Sequence, residues 1–275
     1  MTIAITRADL DGVLSTHRGE ASLQAALDGA GEPERLVQVL GRYVQFNSAF
    51  GPGVANLAGE IGACQGLFQD PGEPVQVMAD RAAHVASDFF YAAVDEFDDR
   101  ATPWRDTHRT LAQATIKGLG RHLGYDDARL NELLTVDEPA RASMRAVFDG
   151  YGVGAALSER DLFRAMGFHT GSEILADQEF TQIDAHLRAK HPALVAALEP
   201  MTVDILGDRH NAYYWIRIHT GVEVEHFAAA LKGANNALRF YAGTTDSARL
   251  KGWVLEGFAE FARVQLEFMT GLARP

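Results

Sequence analysis

The chain has 275 residues, 47% hydrophobic and 23% charged, the balance of a soluble globular protein able to bury a large core. A net charge of −12 with no Lys/Arg cluster excludes a surface built to meet nucleic-acid phosphates. The one cysteine, Cys64, excludes an intramolecular disulfide framework and a cysteine zinc site. The first residues lack a basic-then-apolar signal pattern and no apolar run approaches ~18 residues, which predicts a cytoplasmic protein without a membrane span.

Residues 1–34 show weak helical periodicity around Leu23, Ala26 and Leu27. Leu36, Val39, Leu40, Tyr43 and Val44 repeat at helical spacing, and FGPG at 50–53 is expected to break that helix. Residues 54–68 resume one, with Leu57, Ile61, Cys64 and Phe68 as its stripe, so Cys64 reads as a buried structural thiol. DPGEP at 70–74 is a breaker, and residues 75–97 read as one long helix. The polar, proline-containing stretch 98–104 stops it, after which Asp106 or Thr107 can cap a helix carrying His108, Leu111, Ile116 and Leu119. Gly124 ends that helix, and short helices follow over 128–134 and 138–152.

Ser158 and Asp161 suit a capping box at the head of a helix running to Leu187, with Phe163, Ile174, Phe180, Ile183 and Leu187 inward. Gly167 and Gly171 lie inside it, and interior glycines are kept for close helix packing or for room beside a bound group. KHP and EP frame a short helix before 200. Asn211 is a plausible cap for the next one, and Asp246 starts a last amphipathic helix to Leu272. No segment alternates with period two between hairpin turns. The expected fold is all-α, a single domain over 1–275, with about seven to nine helices around one core.

The stretch YYWIRIHTGVEVEHF at 213–227 places His219, Glu223 and His226 at spacings of four and three, on one helix face shared with Ile216 and Ala230. Three ionisable groups on an inward stripe need a common partner. A divalent metal is one, because it takes neutral imidazole and carboxylate together; a buried His–Glu hydrogen-bond network is the other. Bundles assemble metal sites from facing helices, so further ligands belong on other apolar faces. Glu96 at the end of FFYAAVDEF, His108 past the turn and Glu173 beside the second glycine are the candidates. Three histidines and three carboxylates are the complement for two iron or manganese ions, with open positions for dioxygen or substrate.

The order Glu, His after a turn, a lone Glu on a later helix, then His-x3-acid-x2-His resembles the heme-oxygenase-like diiron oxidases, the iron-containing redox enzyme family. VDEFDDRATPWRDTHRTLAQ, GFHTGSEILADQEF and HTGVEVEH carry the likeness, over about residues 75–270. It implies a heme-oxygenase-like helical bundle and ligation of two Fe ions, or Mn, by Glu96, His108, Glu173, His219, Glu223 and His226, with O2 as co-substrate. Two departures stand out. The last acid is commonly Asp where this chain has Glu223, and the Glu96–His108 gap is long, so Asp95 or Asp99 can compete with Glu96. A further early carboxylate, in some members a ligand, has Glu60 and Asp88 as candidates. His84, His122, His169, His186, His191 and His210 fall outside the pattern and are expected to be structural or exposed.

The resemblance implies an oxidase or oxygenase acting on a small amino-acid- or fatty-acid-like metabolite by N-oxygenation, C–C cleavage, desaturation or decarboxylation. Arg109, Arg164 or Arg217 can clamp a carboxylate, although helix arginines are more often solvated. Phe89, Phe90, Tyr91, Tyr213, Tyr214 and Trp215 read as core packing before substrate pocket. The rivals are a metal-free helical binding protein and a cofactorless or thiaminase-like enzyme on the same fold. The latter needs a cysteine nucleophile, and Cys64 has no adjacent base in sequence. Expected partners are a small-molecule substrate and, as a default, a second copy in a homodimer.

Overall fold

The computed structural model describes residues 4–99 and 106–274, without the side chains of 177 and 221–224. Among them run α1 (Arg7–Leu14), α2 (Gly19–Asp28), α3 (Pro33–Asn47), α4 (Phe50–Ala63), α5 (Ala82–Phe97), α6 (His108–Leu123), α7 (Asp127–Leu133), α8 (Glu138–Gly150), α9 (Glu159–Lys190) and α10 (Pro192–Leu198). A hairpin of β1 (Thr202–Ile205) and β2 (Asp208–Asn211) precedes α11 (Tyr214–Phe240) and α12 (Ser247–Leu272). The all-α bundle is as expected. Its twelve α-helices among the described residues exceed seven to nine, in part because the weakly periodic first 34 residues fold into α1 and α2.

Most boundaries follow local chemistry. The Thr107 side chain accepts from the Thr110 N–H to start α6, and Gly124 ends it in the left-handed region at φ 73°. Ser158 and Asp246 cap α9 and α12 in the same way. Four expectations are corrected. FGPG does not break a helix: the chain turns at Ser48–Ala49 and Pro52 sits in the first turn of α4, where a missing N–H costs no helical bond. Helix α4 stops at Ala63, so Cys64 is its half-buried C-cap and Phe68 instead bridges to Tyr241. Residues 75–81 hold a short 3-10 turn at Gln76–Met78 before α5 begins. Asn211 closes β2, and its side chain accepts from the Tyr213 N–H rather than capping α11 directly.

The hairpin itself escaped the pattern because its strands are four residues long and its turn is Leu206–Gly207, both at positive φ (56° and 96°), rather than Asn–Gly. It packs on α6, and His210 Nδ1 lies 2.8 Å from Asp106 Oδ1, both residues buried. That pair anchors the entry to α6, two residues before His108.

The centre is α9, lying along both α11 and α12. Gly167 faces the Val254 backbone of α12, and Gly257 of α12 faces the Arg164 backbone of α9. A methyl group at Gly167 would collide with the Val254 carbonyl, so the two helices approach at backbone contact. The glycines inside α9 therefore serve helix packing. Helix α5 lies between α4 and α11, which brings its C-terminal end over the middle of α11. No helix among the described residues is long and apolar enough to cross a membrane.

Candidate metal centre

The α11 stripe faces inward as its spacing predicts: His219 is 6% and His226 5% exposed, with Ile216 and Ala230 buried on the same side. The Glu223 side chain, predicted between them, lies outside the described residues. The five remaining predicted ligands fall into two groups that share one small cavity.

In the first group, Glu96 from the last turn of α5 meets His108 from the first turn of α6 and His219 of α11. His108 Nδ1 is 3.1 Å from Glu96 Oε1 and 3.2 Å from His219 Nε2. One ligand atom from each of the three lies within 4.8 Å of the others. The tautomer of His219 follows from its other nitrogen, since Nδ1–H donates to the Trp215 carbonyl at 2.7 Å and leaves a lone pair on Nε2. Phe180 of α9 stacks on the His219 ring at 4.1 Å between centroids and fixes its plane. A carboxylate oxygen and an imidazole lone pair thus converge beside a second imidazole nitrogen. Acceptors gathered in this way repel one another unless a cation or a proton lies between them, so the donor set fits a divalent metal with N and O ligands.

In the second group, Glu173 of α9 sits between two histidines. Its Oε2 is 3.5 Å from His226 Nδ1 and its Oε1 is 3.2 Å from His169 Nδ1. His226 Nε2 meets Asp95 Oδ2 of α5 at 3.0 Å. Glu96, Glu173, His219 and His226 all line the same cavity of about 40 Å³, which joins the two groups. Glu96 and Glu173 reach it from two different helices, α5 and α9.

Sequence pattern missed several participants. His169, expected to be structural or exposed, is 0% exposed and supports Glu173 directly. Burial pushes its pKa down to about 3, so it is a neutral imidazole. Its Nε2 has no hydrogen-bond partner among the described residues, and Glu173 Oε1 beside Nδ1 favours the tautomer with the proton on Nδ1. The Tyr151 hydroxyl lies 3.1 Å from that Nδ1 and 3.0 Å from Ser172 Oγ. Glu179, one and a half turns beyond Glu173, is a 6%-exposed wall of the cavity. Tyr43 Oη donates to its Oε2 at 2.5 Å and the Gln265 amide donates to its Oε1. The available signal was a His four residues before Glu173 and a Glu next to Phe180 within an apolar helix.

Other expectations are settled by position. Asp88 binds Lys232 Nζ at 2.6 Å and Asn236 at 2.8 Å, a polar lock between α5 and α11, and neither it nor the half-buried Glu60 lines the cavities of the site. Of Asp95, Glu96 and Asp99, Glu96 alone lines them. Arg164 pairs with Glu260, and Arg217 is exposed over the Tyr214 ring. Phe90 and Tyr91, read as core, are 53% and 39% exposed, because α5 turns that face to solvent.

A second cavity of about 380 Å³ opens on the first group. Glu96, His108 and His219 form its polar end, Val44, Ala112 and Trp215 its apolar wall, and exposed Arg109 stands on its rim. The volume suits a small organic molecule.

No protein-family model matches the chain, and no curated protein matches it in sequence. Its fold is similar to that of a CADD-like protein of unknown function from Nostoc punctiforme PCC 73102, a crystal structure at 2.00 Å resolution. The TM-score is 0.63 at 14% identity, over 97% of this chain and 94% of that one. The likeness extends along nearly the whole chain and concerns the fold.

Proposed function

We propose that this protein is a non-heme dimetal oxidase or oxygenase of the heme-oxygenase-like diiron type, acting with O2 on a small metabolite. The observation that carries the proposal is the convergence of Glu96, His108 and His219 within 4.8 Å in the lining of a cavity of about 380 Å³. Glu96, His108 and His219 would hold one ion; Glu173 and His226, with Glu223 between the two histidines on α11, would hold the other. When bound, two iron or manganese ions supply O2 activation that no side chain provides.

The rest of the work falls to this chain. Trp215 and Val44 form an apolar wall that excludes water and strengthens the electrostatics at the polar end. Arg109, on the rim, is placed to meet an anionic group of the entering molecule, with the reacting part directed toward Glu96. Glu179 holds two donated hydrogen bonds at the cavity wall, so a proton can reside at its carboxylate or at Tyr43 Oη beside the site.

Anaerobic Fe(II) titration followed by mixing with oxygenated buffer tests this reading. About two irons per chain and a transient visible absorption on mixing are expected. A folded protein that binds no iron would sink the proposal. One observation favours the metal-free rival: each described histidine of the set has a carboxylate within 4 Å or a carbonyl on one of its nitrogens, as in a structural network. His226→Ala separates the two, since a metal site loses ions while the fold survives and a network chiefly loses stability. Nothing supports the cysteine-nucleophile rival. The Cys64 thiol has its pKa raised, by burial first and then by Glu60, and lines neither cavity.

A further inference from the structure

We infer that Asp95 and Asp99 are positioning carboxylates, each fixing which ring nitrogen of one metal-facing histidine points into the cavity. The inference rests on the dimetal reading and assigns a part to two acids outside the ligand set. Both flank Glu96 in DEFDD, yet neither lines the cavities that Glu96 lines. They stand behind the histidines instead. Asp95 Oδ2 is 3.0 Å from His226 Nε2, on the ring edge away from Glu173. Asp99 Oδ2 is 3.7 Å from His108 Nε2, on the edge away from Glu96 and His219.

The backbone explains how one short stretch reaches three places. Asp95 and Glu96 are adjacent on α5 and so point about 100° apart, one toward His226 and the other into the cavity. The helix ends at Phe97, which frees Asp99 to turn under α6, where its N–H donates to the Asp106 carbonyl at 2.8 Å. Asp99 is 2% exposed there. At 3.7 Å its hold on His108 is electrostatic rather than a hydrogen bond.

A neutral imidazole donates from one nitrogen and offers a lone pair on the other, so an acceptor behind the ring decides which nitrogen can bind a metal. A carboxylate in that position also raises the basicity of the far nitrogen. Asp95 therefore presents Nδ1 of His226 through a hydrogen bond, and the charge of Asp99 favours the proton on Nε2 of His108, which presents its Nδ1. The Trp215 carbonyl does the same for His219 from the opposite side and presents Nε2. The site is thereby assigned two Nδ1 ligands and one Nε2 ligand.

The test uses the full chain and Co(II), whose visible bands report each site as it fills. Asp95→Ala and Asp99→Ala are each expected to weaken one of the two sites by about 10–100-fold. Asp95→Asn and Asp99→Asn keep an acceptor oxygen and are expected to recover part of that loss. Asp88→Ala is the control, a buried acid of the same helix tied to Lys232, and should lower Tm while leaving both affinities unchanged. In Zn(II)-loaded protein with 15N-labelled histidine, the ring shifts should show metal on Nδ1 of His108 and His226 and on Nε2 of His219. Wild-type affinity in both alanine variants, an equal loss in Asp88→Ala, or Nε2 ligation by His108 and His226 overturns the inference while leaving the dimetal reading in place. A wild type that takes up no Co(II) removes both.

Discussion

The two halves of the site are built differently although α11 supplies a histidine to each. The Glu96–His108–His219 half is assembled near helix ends: the last turn of α5, the first turn of α6 and one position on α11. The Glu173–His226 half is assembled in mid-helix, with Glu173 in the interior of 32-residue α9 and His169 one turn before it. Helix ends are set by caps and loops, and mid-helix positions by packing along the whole element. The first half thus depends on a few local interactions and adjoins the larger cavity, whereas the second is held by the α9–α12 seam.

The comparison can be broken most directly at the ligands. His219→Ala should reduce bound metal from about two ions to about one per chain and abolish turnover, a larger effect than the ~10–100-fold expected from losing an outer partner. Iron analysis on the purified, folded variant reads it. Gly167→Ala should push α9 from α12 and cost about 1–3 kcal/mol in urea unfolding. It should weaken the Glu173 half more than the His219 half, and equal weakening would contradict the division drawn here. His169→Ala leaves Glu173 without its buried partner and should cost about 1–3 kcal/mol, again with the larger metal loss in the second half. His210→Ala, which removes the buried imidazole beside Asp106 at the entry to α6, should act on the first half alone, with a few-fold loss of affinity on the order of 1 kcal/mol.

A separate effect is in pH dependence. Burial lowers the His169 pKa to about 3 and lowers those of His17 and His186. The unfolded chain takes up these protons first, near the ordinary histidine pKa of about 6.5. Stability of the metal-free protein is therefore full above that pH and falls as pH drops, by up to about 1.4 kcal/mol per unit for buried His169, with smaller contributions of the same sign from His17 and His186. Tm measured from pH 7 to pH 4 in chelator should show this fall, and His169→Gln should flatten it.

Much of this was legible because helices write their faces in short intervals. The offsets between His219 and His226 placed both on one buried stripe, and the breaker after Phe97 placed Glu96 and His108 at facing helix ends. Caps at Thr107, Ser158 and Asp246 were equally local. The hairpin was not legible, since four-residue strands carry too little alternation and a Leu–Gly turn is a weak signal. Nor was the part played by Asp95, which has the same composition and helical setting as Asp88. One meets His226 and the other Lys232, because they leave α5 on the same side but two turns apart, at different heights along α11.

The sequence by itself determined the all-α class, the order of the main helices and a His/Glu set of the right kind for two metals, since each depends on periodicity and residue chemistry within a few turns. Only the tertiary structure decided which acids face the cavity and which stand behind a histidine, that His169 and Glu179 belong to the site, and that a cavity opens on one half. Those outcomes depend on distances between residues far apart in the chain. Such distances are set by how closely α9, α11 and α12 pack, which in turn depends on missing side chains at Gly167 and Gly257.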